Sequence, residues 1–140
     1  MKQILSTSLS LVQTSKVWVM ANDYVGLEAV INDVSMHDDL VFAAIISLDG
    51  KIVAHTDYSY IGKYIADTKR IEYLQERQSG LNDSDSIHIL LENDKYIEII
   101  RSIREADKDI GYANIRLDQS IRTGAIEKTI IKGIVFTQSA

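Results

Sequence analysis

The stretch Leu40–Thr56, LVFAAIISLDGKIVAHT, decides the fold class. Two apolar runs of strand length flank Asp49-Gly50. Asp-Gly between such runs is the strongest short hairpin signal, because a two-residue type I′ turn needs positive φ at both central residues. That turn places Leu48 opposite Lys51, Ile46 opposite Val53 and Ala44 opposite His55. Phe42, Ala44, Ile46, Val53 and His55 then share one face of the ribbon. Ala43, Ile45, Ser47, Ile52, Ala54 and Thr56 share the other. Both faces are largely apolar, so both are expected to be covered.

Upstream of the hairpin the pattern is helical from Lys2 to about Met36. Leu5, Leu9, Val12, Val19, Leu27, Val30 and Val34 recur mostly at spacings of three, four and seven, with Lys16 and Asp23 interrupting. One helix of that length would run roughly 50 Å, more than a small domain covers, so part of it would project and pair. Two shorter helices packed on the domain are the alternative. Downstream, Thr68–Gln78 reads as a short helix and Ser79 onward as a polar loop. IHILLE and KYIEIIRSIRE flank a second tight turn at Asn93-Asp94, which puts Glu92 opposite Lys95. ADKD turns the chain into a last strand, Ile110–Leu117. From Asp118, a candidate N-cap, Ile121, Ala125, Ile126, Thr129, Ile130 and Ile134 recur at helical spacing. The expected architecture is α+β: a long N-terminal helix, about five antiparallel strands and a C-terminal helix, in one domain of 140 residues.

The composition excludes several functions. The net charge of −5 offers no attraction for phosphate backbones, so no nucleic-acid partner is expected. There is no cysteine, hence no disulfide, thiolate metal site or thiol nucleophile, and the redox compartment stays open. No apolar run reaches the roughly 18–20 residues of a membrane span. His37, His55 and His88 stand far apart without partners at helical spacing, and Asn82–Asp85 lacks the glycine and terminal glutamate of a calcium loop. No metal, cofactor or catalytic site is therefore expected, and no nucleophile or phosphate-binding motif argues for an enzyme.

Two features point to binding instead. Seven of the ten aromatic residues are tyrosines. Four of them, Tyr58, Tyr60, Tyr64 and Tyr73, lie between the second and third strands. They either close the core edge with hydroxyls in water or orient a ligand. Arg101 shares a face with Ile97, Ile99 and Ile103, so it needs an anionic or polar partner from the protein or from a ligand. Glu98 faces the other way with Tyr96, Ile100 and Ser102, and poses the same question if that face is buried.

Asp49-Gly50, Ala54-His55 and Ile61-Gly62-Lys63, followed by Ile103, Ile110-Gly111-Tyr112 and Asp118–Ser120, occur here in one order. In that order the chain resembles extracytoplasmic PAS-like sensor domains of the Cache type. The resemblance implies a PAS-like sheet of order 2-1-5-4-3. It implies an N-terminal dimerisation and signalling helix over 1–36, a sheet with a pocket loop over 40–117, and a helix toward the membrane over 118–140. It further implies an input domain of a transmembrane receptor: a sensor histidine kinase, chemoreceptor or diguanylate cyclase. Such a domain lies outside the cytoplasm between two transmembrane helices, forms a homodimer through its first helix, and binds a small molecule. His55, Asp57, Tyr58, Tyr60, Tyr73 and Arg101 are the expected ligand-binding residues. Citrate- and dicarboxylate-sensing relatives carry arginine three positions before the histidine, where this chain has Ile52, so the ligand's identity is not implied. The alternative is an intracellular interaction scaffold of the roadblock, longin or PAS kind, which also uses strand–Asp-Gly–strand.

Overall fold

A computed structural model describes residues 2–80 and 87–120. The chain runs α1 (Lys2–Met20), α2 (Tyr24–Val34), β1 (Leu40–Ile46), β2 (Ile52–His55), a 3-10 turn (Tyr58–Tyr60), α3 (Thr68–Gln78), β3 (Ile87–Glu92), β4 (Tyr96–Glu105) and β5 (Lys108–Asp118). The strands form one antiparallel sheet in the order β2-β1-β5-β4-β3, as expected. The helix expected from Asp118 onward lies, beyond Ser120, outside the described residues.

The single N-terminal helix is corrected to a helical hairpin. Asn22 adopts φ 53°, and α1 ends in a Schellman motif: Asp23 N–H donates to Trp18 O and Asn22 N–H to Val19 O. Asp23 then caps α2, its carboxylate accepting from Gly26 N–H at 3.0 Å. Asparagine tolerates the left-handed region, so Asn22-Asp23 closes one helix and opens the next. The fold back brings the Trp18 ring onto Gly26, where an added Cβ would sit 2.4 Å from ring carbons.

The buried face of α1 also differs from the expected seam. Ile4, Ser8, Leu11 and Ser15 are at most 2% exposed, whereas Leu5 and Leu9 are 39% and 43% exposed. The buried serines turn their hydroxyls back onto the helix, Ser8 to Leu5 O and Ser15 to Leu11 O. Their small, internally satisfied side chains let the helix lie close to the sheet.

Two turns exchange their expected chemistry. Asp49-Gly50 does not make a two-residue turn. Gly50 N–H donates to Ser47 O and Ser47 N–H to Lys51 O, so the loop has three residues and only Gly50 carries positive φ, at 89°. The register then slips between Ile45 and Ile46, and Ile46 faces Ile52 rather than Val53. Ile52 therefore joins Ile46 and Leu74 on one side of the sheet, and Val53 packs with Ile45 on the other. The two-residue turn is Ala106-Asp107 instead, with φ of 49° and 64° between the paired Glu105 and Lys108. At Asn93-Asp94 the Asn93 side chain accepts from both Lys95 and Tyr96 N–H. Glu92 consequently pairs with Ile97, not with Lys95.

The two faces of the sheet have different partners. α1 and α2 cover one face, where Ile4, Leu11, Leu27 and Ile31 meet Ile45, Ile97, Ile99, Ile103 and Ile115. α3 covers part of the other, where Tyr73 and Leu74 meet Ile46, Leu90, Ile100 and Tyr112. Arg77 of α3 pins that helix to the β4–β5 end through Asp109, at 2.9 and 2.8 Å, and Arg104 shares the same carboxylate. The remainder of this face stays open toward β1 and β2.

Candidate functional site

That opening is a cavity of about 740 Å³. Its back wall is sheet: Phe42, Ala44 and Ile46 of β1, Ile52 and His55 of β2, Asn114 and Arg116 of β5. Its front wall is the segment after β2 and the start of α3: Asp57, Tyr60, Ile65, Ala66, Asp67 and Arg70.

Local chemistry explains the front wall. Asp57 accepts from Ser59 N–H at 3.0 Å and Ser59 Oγ at 2.8 Å, which starts the 3-10 turn and holds the Asp57 carboxyl below its ordinary pKa. Gly62, at φ 91°, reverses the chain so that 62–65 returns along the free edge of β2. Ile52 N–H donates to Lys63 O and Gly62 N–H to Ile52 O, both at 2.8 Å. Asp67 then caps α3 by accepting from Arg70 N–H at 3.1 Å.

His55 is clamped in place. Its ring stacks between Phe42 at 5.2 Å and Tyr60 at 4.6 Å. The row continues outward, with Lys63 over Tyr60 on one side and Arg116 between Phe42 and Tyr96 on the other. His55 Nδ1 accepts from Asp57 N–H at 2.8 Å, so the neutral ring carries its proton on Nε2. Burial lowers the His55 pKa, Asp57 opposes that and Arg70 adds to it, and the ring is neutral at pH 7. Nε2 has no partner among the described residues and is left as a donor.

The floor is a charged group. Glu98, only 1% exposed, lies beneath Arg70, Asn114 and Arg116. It accepts from Arg70 Nη2, from Asn114 Nδ2 at 3.1 Å, and from Arg116 Nε at 2.8 Å and Nη2 at 2.6 Å. Arg70 Nε also donates to Asn114 Oδ1 at 3.0 Å, and its Nη1 meets Asp67 at 3.0 Å.

Of the expected site residues, His55, Asp57 and Tyr60 line the cavity. Tyr58, Tyr73 and Arg101 do not. Tyr58 points the other way and donates to Asn32 Oδ1 of α2 at 3.4 Å. Tyr73 is core, edge-on to Tyr112 at 5.7 Å, and burial raises its pKa. Arg101 projects through the opposite face of the sheet and donates to Ser8 Oγ of α1 at 3.3 Å. Sequence reasoning missed Arg70, Asn114 and Arg116. The signal was Glu98: its face is buried, so cations had to meet it there. Among the described residues no cluster of three or more His, Asp or Glu could hold a metal, and no helix is long and apolar enough to cross a membrane.

The fold is shared with solved sensor domains. The sensor domain of Escherichia coli DcuS matches with a TM-score of 0.58 at 16% identity, over 86% of this chain and 92% of that one. The extracellular domain of the putative histidine kinase vpHK1S-Z8 matches at 0.59 and 19%, over 89% of this chain and 52% of that one. A domain of a putative sensory box/GGDEF family protein from Vibrio parahaemolyticus matches at 0.57 and 18%, over 90% and 56%. The chain thus spans about half the length of the latter two. At these identities the likeness is one of fold. A search of curated proteins gives no match. The model of the single Cache domain 3 family matches residues 1–126, and the chain belongs to that family.

Proposed function

We propose that this domain is the ligand-sensing input of a transmembrane receptor, and that the cavity between β1, β2 and α3 is where its small-molecule ligand binds. The receptor would be a sensor histidine kinase, a chemoreceptor or a diguanylate cyclase, with the domain outside the cytoplasm between two membrane spans. The observation that carries the reading is the cavity itself. In a member of the Cache family, an open cavity of about 740 Å³ sits against the clamped His55 and two arginines. That volume is in the usual range for small-molecule sites.

A physical route from cavity to helices supports the signalling half. His55 also borders a second cavity of about 130 Å³ between β2 and α2, lined with Tyr24, Glu28 and Ile61. Tyr58, next in chain to the cavity residue Asp57, bonds α2. Ligand contact with this loop would favour one arrangement of α2 and α1 over another. Leu5, Leu9 and Met20 of α1 are exposed at spacings of four and eleven on one side of the helix, and would pair with a second copy. Residues 1–126 fall within the Cache family, and no observation favours a roadblock- or longin-like scaffold.

The test is a thermal-shift screen against a broad panel of small metabolites, repeated on Ala66→Trp. Ala66 is exposed at the cavity rim, so tryptophan there closes the mouth without disturbing the core. Hits that stabilise the wild type and lose their effect on Ala66→Trp support the reading. No hit on the wild type, or hits indifferent to Ala66→Trp, overturns it.

A further inference from the structure

We propose that Glu98 sets the charge class of the ligand: the cavity takes an uncharged or cationic organic molecule, an amide or amine on an apolar body, and rejects carboxylates. This rests on the reading of the cavity as a ligand site. Arg70 and Arg116 are the cations that face the cavity and would otherwise be its natural seat for an anion. Both are already engaged from below by Glu98.

At 1% exposure Glu98 has almost no water to share its charge. A visiting carboxylate would have to share each guanidinium with the buried Glu98 beneath it, so neither positive charge is fully its own. Asp67 holds a further nitrogen of Arg70, and Asp57 stands at the rim. Two guanidiniums therefore meet two carboxylates, Glu98 and Asp67, before any ligand arrives, Asp57 at the rim is opposed by Lys63, and His55 is neutral. An incoming anion adds a further negative charge beside carboxylates that already match these guanidiniums, a repulsive element against that class of ligand.

What the cavity still offers matches the opposite class. His55 Nε2–H and Nη1 of Arg116, which has no partner among the described residues, are donors for a carbonyl or hydroxyl oxygen. Asp57 can meet an ammonium or amidinium at the rim. Ala44, Ile46, Ile52 and Ile65 provide the apolar wall between them.

Three near-isosteric probes isolate the charge: benzoate, benzamide and benzamidine. Each is titrated into wild-type domain while the amide signals of Thr56 and Asn114 are followed by NMR. The expected result is that benzamide and benzamidine bind at least about tenfold more tightly than benzoate. In Glu98→Gln the order inverts, because Arg70 and Arg116 are then uncompensated. If Glu98→Gln does not fold, the wild-type ranking decides alone. Benzoate binding the wild type as tightly as benzamide overturns the proposal, and so does the absence of binding by all three. A carboxylate found as a cavity-dependent hit in the metabolite screen would also overturn it, while leaving the ligand-site reading intact.

Discussion

Consecutive residues of β4 serve two different walls. Ile97, Ile99 and Ile103 enter a sealed core beneath α1 and α2, whereas Glu98 lies under an open cavity on the other side, with Ile100 and Ser102 along the same face. The helix-side wall is held mainly by apolar contact, with Arg101 and its bond to Ser8 Oγ as the polar exception on this strand. The cavity-side wall is held by paired charges whose removal one at a time leaves an orphan. One face therefore buries a core and the other carries the candidate site, and a two-residue period keeps them apart on a single strand.

Mutations can break that comparison in a graded way. Glu98→Ala, which strands Arg116 and leaves Arg70 with Asp67 and Asn114, should cost about 3 kcal/mol in chemical denaturation. The combined change Arg70→Met, Glu98→Leu and Arg116→Met should instead be neutral or stabilising by up to about 4 kcal/mol, and abolish the thermal shift of any cavity ligand. Equal damage from the single and triple changes would mean that the charged group is structural. Ile99→Ala, one residue away on the opposite wall, should cost about 3 kcal/mol while leaving ligand-induced shifts in place. Gly26→Ala should lose about 1–3 kcal/mol, because the new methyl meets the Trp18 ring in the α1–α2 hairpin.

Smaller effects sharpen the account. Ala106→Gly should stabilise the domain by about 1 kcal/mol, since Ala106 holds φ 49° without a side chain that profits from it. Gly50→Ala, at φ 89° and 3.3 Å from Ile65, should destabilise by a similar amount. The His55 contribution is the smallest. Its folded pKa lies below the ordinary 6.5, so the unfolded chain takes the proton first as pH falls. Stability from this group is complete above about 6.5, declines below it and is lost once the folded pKa is passed. His55→Phe should flatten the urea-midpoint profile in that window and leave the contribution of Asp67, lost as pH falls below about 4, in place.

The apolar runs made the strands legible, and the length and polarity of Thr68–Gln78 made α3 legible to the residue. Turn chemistry was less so. Asp49-Gly50 carried the two-residue signal, yet Ser47 supplied the closing bonds and lengthened the loop. Ala106-Asp107 took positive φ because the β4–β5 pairing on both sides demanded it. The lining of the candidate cavity was legible where neighbours in sequence make it, at His55, Asp57 and Tyr60. It was illegible at Arg70, Asn114 and Arg116, which meet across three elements and are joined only by the buried Glu98. Arg101 shows the converse. Its strand position was read correctly, but α1 rather than a ligand supplied its polar neighbour.

The most direct test of the central claim is a crystal structure of the domain grown with a stabilising hit from the metabolite screen. The account predicts the molecule between His55 and Arg70, with its body against Ile52 and Ile65. A hit bound elsewhere on the domain, or a cavity closed by its own side chains while the hit sits outside it, would contradict the account.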